Sequence, residues 1–559
     1  MTRFTSRFAF ASGIGAVAFV VASSPTQAAT SCADLANLKI AASEIGLPSG
    51  GASIASAEMA TVPADPQMPG ATREFCKVLG AIAPVDPNAP PVNFEVNLPL
   101  AWNGKAVQYG GGGFNGVLIA GLAPLRDSKL DAPVPVARGY TTWGTDSGHE
   151  AAKLPEIQAF ALNDEALVNF AYASYKKTHD VGRRIAIAFY DRPPSKIYFA
   201  GISEGGREGL TMAQRFPADF DGIVSTVPVI GWTGLQSAGN RSGIAQQNGG
   251  WLNPAKVTTL RKAVNAACDA MDGLADGVIS AYEKCVGVFD VKTLRCPNGI
   301  DAGDACLSNT QITAVDTLHR SYEFPFALAN GMRSYPGWNY GSEDQPDGML
   351  YWVTGSQLAR FPLPSPDVQG REWYYGSGAV RYFIARDAQF NPLRFSPADF
   401  ADRIGQVSAL MDSTNPDLSA FLAHGGKLIL KEHGADFAQS PFQGINYYKS
   451  VVAKLGQTRV DQFIRFYVMS GAGHNGFGVD SFGAPIPSGV DLLGALDSWV
   501  EMGNAPDTLV QVSQETKPPF KVLSSRPMCR YPLYPRYNGQ GDPKEASSFT
   551  CARQDGLRP

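Results

Sequence analysis

Gly201-Ile202-Ser203-Glu204-Gly205-Gly206-Arg207-Glu208-Gly209 is the stretch on which the reading of this chain turns. An apolar run, Ile197-Tyr198-Phe199-Ala200, precedes it, and a helical pattern from Leu210 to Phe216 follows. A serine that points into a cleft from the end of a strand sits on a very tight, strained turn, so the residues two before and two after it must lack a Cβ. Gly201 and Gly205 meet that demand. The helix start behind the serine presents free N–H groups and a positive dipole end to developing negative charge. Gly-x-Ser-x-Gly arises by chance in a chain with 59 glycines. The strand before it and the helix after it are what make it a nucleophile elbow.

Upstream, residues 32 to about 95 predict a small leading region tied by its own cysteine pair. Val92 to Leu98 alternates with period two and reads as a half-buried strand. Ala106-Val107-Gln108-Tyr109 is a second strand, and it ends in Gly110-Gly111-Gly112-Gly113-Phe114-Asn115-Gly116. A glycine run directly after a core strand suits a loop whose N–H groups must approach a substrate with no Cβ in the way. The competing reading is a flexible linker, which seldom follows a short apolar strand so abruptly. Tyr140 to Trp143 reads as another strand, running into Gly144-Thr145-Asp146-Ser147-Gly148-His149. Asp, Ser and His this close in sequence rarely converge on one substrate atom, so a structural loop is expected there. Asp164 to about Tyr190 carries helical periodicity, and Phe220 to Ser225 is a short core strand.

From about 230 to 413 the strand–helix alternation fades and aromatics become dense, among them Trp232, Trp251, Trp338, Tyr340, Tyr351, Trp352, Phe361, Trp373, Tyr374 and Tyr375. This reads as an inserted lid whose aromatics could clamp a planar ring. Within it lies Cys268-Asp269-Ala270-Met271-Asp272-Gly273-Leu274-Ala275-Asp276-Gly277-Val278, closed by Cys285. Three aspartates with glycines between them can curl round a hard cation, with backbone carbonyls of Leu274 and Val278 completing the oxygens calcium needs. Spacing alone leaves a calcium loop and an aspartate-rich turn equally open.

Strand patterns resume at Lys427 to Lys431, followed by a loop with Asp436, and at Phe463 to Val468, followed by Gly471-Ala472-Gly473-His474-Asn475-Gly476. Of the six histidines, only His433 and His474 follow late strands, and His433 is too close to Asp436 on one loop to form a relay with it. His474 is therefore the candidate base. Asp436 is the candidate acid, with Glu432 nearby as the competitor. Ser, Asp and His in this order, each after a core strand, predict an α/β-hydrolase fold with a large inserted lid domain. The expected divisions are 1–28 signal peptide, 29–229 hydrolase domain, 230–413 lid with the calcium site, and 414–559 the rest of the hydrolase domain.

At 559 residues the chain exceeds one small core. With 44% apolar and 18% charged residues and a net charge of −4, its composition is that of a globular protein and gives no sign of a nucleic-acid or anionic-membrane partner. Arg3 and Arg7, the apolar run Phe8 to Ala22, and Thr26-Gln27-Ala28 read as an export signal cleaved near Ala28, giving a secreted or periplasmic protein. An N-terminal anchor is the alternative. In an oxidising compartment the eight cysteines favour disulfides. Counting does not fix their pairing. The sequence-neighbour pairs Cys32–Cys76, Cys268–Cys285, Cys296–Cys306 and Cys529–Cys551 each close a modest loop, worth about 2–4 kcal/mol.

With these residues in place, the chain resembles the tannase and feruloyl esterase family over nearly all its mature length. The carriers are Ser203 to Gly209, the Thr145 to His149 loop, the Cys268 to Cys285 loop, and Gly473-His474. The resemblance implies hydrolysis of esters of hydroxycinnamic or gallic-type acids by Ser203, Asp436 and His474, with the N–H groups of Glu204 and Gly113 as oxyanion donors. It also implies a structural Ca2+ on Asp269, Asp272, Leu274, Asp276 and Val278, and the four neighbour disulfides. In family members a cysteine before the nucleophile pairs with one after the histidine. Here Ile202 and Asn475 stand in those places, and the triad is expected to be held by packing alone. Two alternatives stay open: a hydrolase of mono- or bis(2-hydroxyethyl) terephthalate, and a non-catalytic secreted binding protein on the same scaffold. Arg371 and Arg381 are the lid cations nearest to reading a second carboxylate.

Overall fold

The computed structural model describes residues 1–2, 31–62, 74–362 and 367–553. The export signal and its cleavage site near Ala28 lie outside them. Ten strands form the main sheet: β1 (Lys39–Ile40), β2 (Ala52–Thr61), β3 (Glu74–Ile82), β4 (Val92–Pro99), β5 (Lys105–Tyr109), β6 (Thr141–Thr145), β7 (Lys196–Ile202) and β8 (Gly222–Thr226), then, after two strands of the insert, β11 (Lys427–His433) and β12 (Ile464–Met469). The insert's β9 (Tyr322–Glu323) and β10 (Ser334–Tyr335) form a separate ribbon. The sheet order is β1-β2-β3-β4-β6-β5-β7-β8-β11-β12. From β6 to β12 the strands run parallel, whereas β1 to β4 and the β4–β6 junction are antiparallel. This is an α/β-hydrolase sheet.

The small leading region is joined to the hydrolase sheet. Its strands β1 to β3 extend the main sheet, and the Cys32–Cys76 disulfide fastens the chain start to β3. These strands pair with their sequence neighbours and reach the parallel strands through the β4–β6 junction, where Phe94 pairs with Thr145.

The parallel strands are apolar on both sides because helices cover both faces. Along β7, Ile197 and Phe199 join the core under helices Ser174–Tyr190, Glu204–Arg215 and Pro441–Leu455. Tyr198 and Ala200 face the opposite core with Leu492, Leu496 and Trp499 of helix Leu492–Met502. The same alternation holds for Leu428 and Leu430 against Ile429 on β11, and for Phe466 against Tyr467 on β12. Between β8 and β11 the chain makes a mainly helical insert with its own core, including Trp338, Trp352, Val380 and Phe383. That core also takes in Phe114 from the glycine run and Phe170, so the insert is seated on the sheet's C-terminal edge. Four disulfides form, matching the neighbour pairs. Among the described residues no helix is long and apolar enough to cross a membrane.

Candidate active site

Four of the parallel strands deliver the site: β5 leads to the glycine run, β7 to Ser203, β11 to Asp436 and β12 to His474. Ser203 has φ 60° and ψ −122°, a strained conformation for a residue with a Cβ. Its own backbone holds it there: its N–H donates to the Thr226 carbonyl at 2.9 Å, and its carbonyl accepts from Arg207 at 3.1 Å. The glycines are used for contact as well as conformation. A Cβ on Gly201 would lie 2.2 Å from the Gly205 carbonyl oxygen, and one on Gly205 would lie 2.6 Å from that of Gly111. The elbow therefore packs backbone on backbone against the glycine run. Glu208, fully buried, braces this contact by accepting the Gly111 N–H at 2.8 Å and the Asn115 amide at 2.7 Å. Burial pushes the Glu208 carboxyl up.

His474 Nε2 lies 2.8 Å from Ser203 Oγ, and its Nδ1 lies 2.7 Å from Asp436 Oδ2. Asp436 is oriented by the N–H groups of Ala438 and Gln439, which donate to its Oδ1 at 2.7 and 3.1 Å. The competing Glu432 points elsewhere and accepts from the Gln439 side chain. Burial works against the imidazolium of His474, but Asp436 outweighs it, with Asp347 adding and Arg126 opposing. The net effect is to raise its pKa. A hydroxyl, an imidazole and a carboxylate linked in this order can pass the serine proton to the ring as the oxygen attacks.

Ser203 and His474 open on a cavity of about 260 Å³. Gly113, with φ +58°, and Glu204, first residue of its helix, line it beside Ser203. The N–H of a first helical residue has no carbonyl partner inside its helix, so it is free to meet an oxyanion. The Glu204 side chain is turned away and bonds Arg207, whose guanidinium also reaches the carbonyls of Ala171 and Met411. The charged residues of the elbow motif thus tie the helix to the insert.

Of the aromatics read as a ring clamp, Trp232, Tyr351, Trp352 and Tyr375 line the cavity together with Phe114. Trp338 and Trp373 are buried in the insert's core instead, Trp251 donates to the Thr354 carbonyl, Tyr340 stacks on His319, and Phe361 lies under Arg381. Tyr374 packs against Tyr375 outside the cavity lining. Arg381 is committed to Glu156 through two 2.7 Å bonds, and Arg371 lies over Tyr351 and pairs with Asp367. The cation on the cavity wall is Arg126, from the loop after β5, which sequence reading missed. Its neighbour Asp127 is locked by buried bonds to Lys431 and His433, and His433 in turn bonds the Gly473 carbonyl. The Thr145 to His149 loop is structural as expected: Asp146 accepts from Asn93 and Gly148, and His149 bonds the Phe114 carbonyl.

The expectation that packing alone replaces the missing cysteine pair is corrected. Asp347 of the insert accepts the Asn475 N–H at 2.5 Å and its amide at 2.8 Å, which pins the histidine loop with charge-assisted bonds.

In the aspartate loop, Asp269 accepts the Gly277 N–H, Asp272 those of Leu274 and Ser280, and Asp276 that of Val278 while pairing with Arg526. Burial and then the Asp276 charge push Asp272 up to about 6. Buried carboxylates in excess of their cations are the donor chemistry a hard ion takes. Even so, among the described residues no three His, Cys, Asp or Glu side chains are grouped as a metal-binding set.

The tannase and feruloyl esterase model matches residues 76–552. The chain belongs to the tannase and feruloyl esterase family. An uncharacterized esterase of Agrobacterium fabrum is 37% identical over 94% of both chains. The mono(2-hydroxyethyl) terephthalate hydrolase of Piscinibacter sakaiensis is 31% identical over 86% of this chain and 85% of its own. Crystalline feruloyl esterase B from Aspergillus oryzae superimposes with a TM-score of 0.73 at 23% identity, covering 92% of this chain and 98% of its own, a likeness of fold. As a member of this family the protein is a carboxylic ester hydrolase.

If the elbow depends on backbone contact with the glycine run, Gly205→Ala in this esterase should lower stability by about 1–3 kcal/mol, the usual cost of forcing atoms into a filled site. It should also lower kcat. Urea unfolding and steady-state hydrolysis check both, and a variant with the wild-type midpoint and kcat would contradict the contact's role.

Proposed function

We propose that this esterase is an exported serine hydrolase acting on esters of hydroxycinnamic or gallic-type acids. The observation that carries the reading is the hydrogen-bonded Ser203–His474–Asp436 chain opening on an aromatic-walled cavity. His474, held by Asp436, takes the Ser203 proton as Oγ attacks the ester carbonyl. The N–H groups of Glu204 and Gly113 receive the oxyanion, each worth about 3 kcal/mol of barrier. His474 then protonates the departing alcohol, and a water activated by the same ring releases the acid. The aromatic walls suit a planar acyl group. With the chain a carboxylic ester hydrolase, the non-catalytic alternative falls away.

A second reading, hydrolysis of mono- or bis(2-hydroxyethyl) terephthalate, draws support from the Piscinibacter relative and from Arg126, whose cation could meet a second carboxylate. The four disulfides accord with life in an oxidising compartment.

Hydrolysis of methyl ferulate, chlorogenate, methyl gallate and the mono- and bis-hydroxyethyl terephthalates tests the reading. Turnover of a cinnamoyl or galloyl ester is expected, and Ser203→Ala should reduce it at least about 10⁴-fold without moving the melting temperature. Preference for the terephthalate monoester would favour the second reading. Hydrolysis retained by Ser203→Ala would remove the serine mechanism.

Asp269, Asp272 and Asp276, with the carbonyls of Leu274 and Val278, are the residues that would hold a calcium ion. The ion would serve stability, by neutralising buried carboxylates in a loop closed by Cys268–Cys285. Adding calcium to chelator-stripped protein should raise the melting temperature, and Asp272→Asn should abolish that rise. An identical melting curve with and without calcium would remove the ion from the account.

A further inference from the structure

The histidine loop is held from outside the hydrolase core. Asp347 lies in the insert, 5% exposed, on the turn between Gly341 and Gly348. Its carboxylate takes three bonds, from the Asn475 N–H at 2.5 Å, the Asn475 amide at 2.8 Å and the Trp352 indole N–H at 2.8 Å. All three donors are neutral, and among the described residues Asp347 has no cationic partner. Its negative charge is therefore not cancelled where it stands. The two groups it holds are the residue after His474 and the ring packed edge-on to it: Trp352 lies 5.1 Å from the imidazole at 74°. The approach is so close that a Cβ on Gly473 would sit 2.7 Å from Asp347 Oδ2. A side chain at 473 would force Asp347 to shift.

We propose that Asp347 is the positioning residue for His474, fixing the loop at the residue after it, holding the indole packed edge-on to its ring, and setting a carboxylate of the insert beside it. This rests on the serine-hydrolase reading given above. The consequence is that the catalytic base is tuned by two carboxylates of different origin. Asp436, from the loop after β11, bonds the ring directly, whereas Asp347 acts through Asn475, Trp352 and its field. The other charges near the ring come from the sheet and the loop after β5. Arg126, on the loop after β5, donates weakly to the Asn475 carbonyl at 3.5 Å, and the Lys431–Asp127–His433 group reaches the Gly473 carbonyl. Asp347 favours the imidazolium, and Arg126 opposes it. The insert thus supplies one of the two carboxylates that act on the base.

The sign of the test follows from the charge. Hydrolysis needs neutral His474, so the acid limb of kcat/KM follows the ring's pKa in the free enzyme. Removing the Asp347 charge lowers that pKa and moves the limb to lower pH. The variants are Asp347→Asn, which removes the charge and sets an amide against donors, and Asn475→Ala, which deletes one bond but keeps both the charge and the backbone bond. With methyl ferulate, Asp347→Asn is expected to lower kcat about tenfold or more, leave KM within about twofold, and move the acid limb down by several tenths of a pH unit. Asn475→Ala is expected to lower kcat less and leave the limb in place. Wild-type kcat and limb in Asp347→Asn would overturn the proposal, as would an equal limb shift in both variants. Should Asp347→Asn fail to fold, as read from its melting curve, wild-type kcat in Asn475→Ala overturns it alone. Ser203→Ala in the same assay reports separately on the serine mechanism.

Discussion

Everything at this site depends on two stretches of backbone touching without side chains between them. The Gly201–Gly205 elbow and the Gly110–Gly111 run approach so closely that a methyl on Gly110, Gly201 or Gly205 meets main-chain atoms, and one on Gly111 meets the Asn115 side chain. That contact brings Ser203 and Gly113 to the lining of one cavity. It is paid for by strain at Ser203, whose left-handed φ persists because bonds to Thr226 and Arg207 fix it from both sides. A strained residue survives only where its surroundings determine it more than once, and the buried Glu208 brace supplies a further constraint.

Around this contact the polar interior works as linked clamps. Arg207 ties the elbow helix to Glu204, Ala171 and Met411. Lys431 and His433, neighbours of the acid on β11, fasten Asp127 and so the loop carrying Arg126. Burial opposes the Asp127 charge, and Lys431 and His433 more than offset it, holding its carboxyl below the usual range. Asp347 fastens the histidine loop to the insert. Breaking one member of such a buried network leaves its partner unsatisfied, which costs more than the bond itself contributes. These networks make the site a shared product of the sheet and the insert.

Much of this was legible in the sequence, for physical reasons. Strands buried on both faces read as apolar runs, so β5, β7, β8, β11 and β12 were each expected within a few residues. The elbow glycines announced a tight turn, and His474 was found by order along the chain. What failed to show was long-range. Antiparallel β1 to β3 pair locally, but they belong to the main sheet only through the β4–β6 junction, where Phe94 pairs with Thr145. Asp127 and Asp347 look like ordinary loop acids, because the partners that tie Asp127 to β11 and Asp347 to the histidine loop lie about three hundred and 128 residues away. Asp436 is favoured over Glu432 in the sequence because it lies deeper in the loop after the strand, and it is Asp436 that meets the imidazole, while Glu432 on β11 bonds Gln439. The dense aromatics of the insert mixed two roles, and burial alone divides Trp338 and Trp373 from the cavity-lining Trp352 and Tyr375.

The central claim is that Ser203 is a nucleophile activated by His474. Mass spectrometry of the protein after treatment with a small fluorophosphonate tests it most directly. The account predicts one phosphonyl adduct per chain, on the peptide containing Ser203, and its loss when His474 is replaced by alanine. No adduct on folded protein, an adduct on another residue, or equal labelling without the histidine would contradict it.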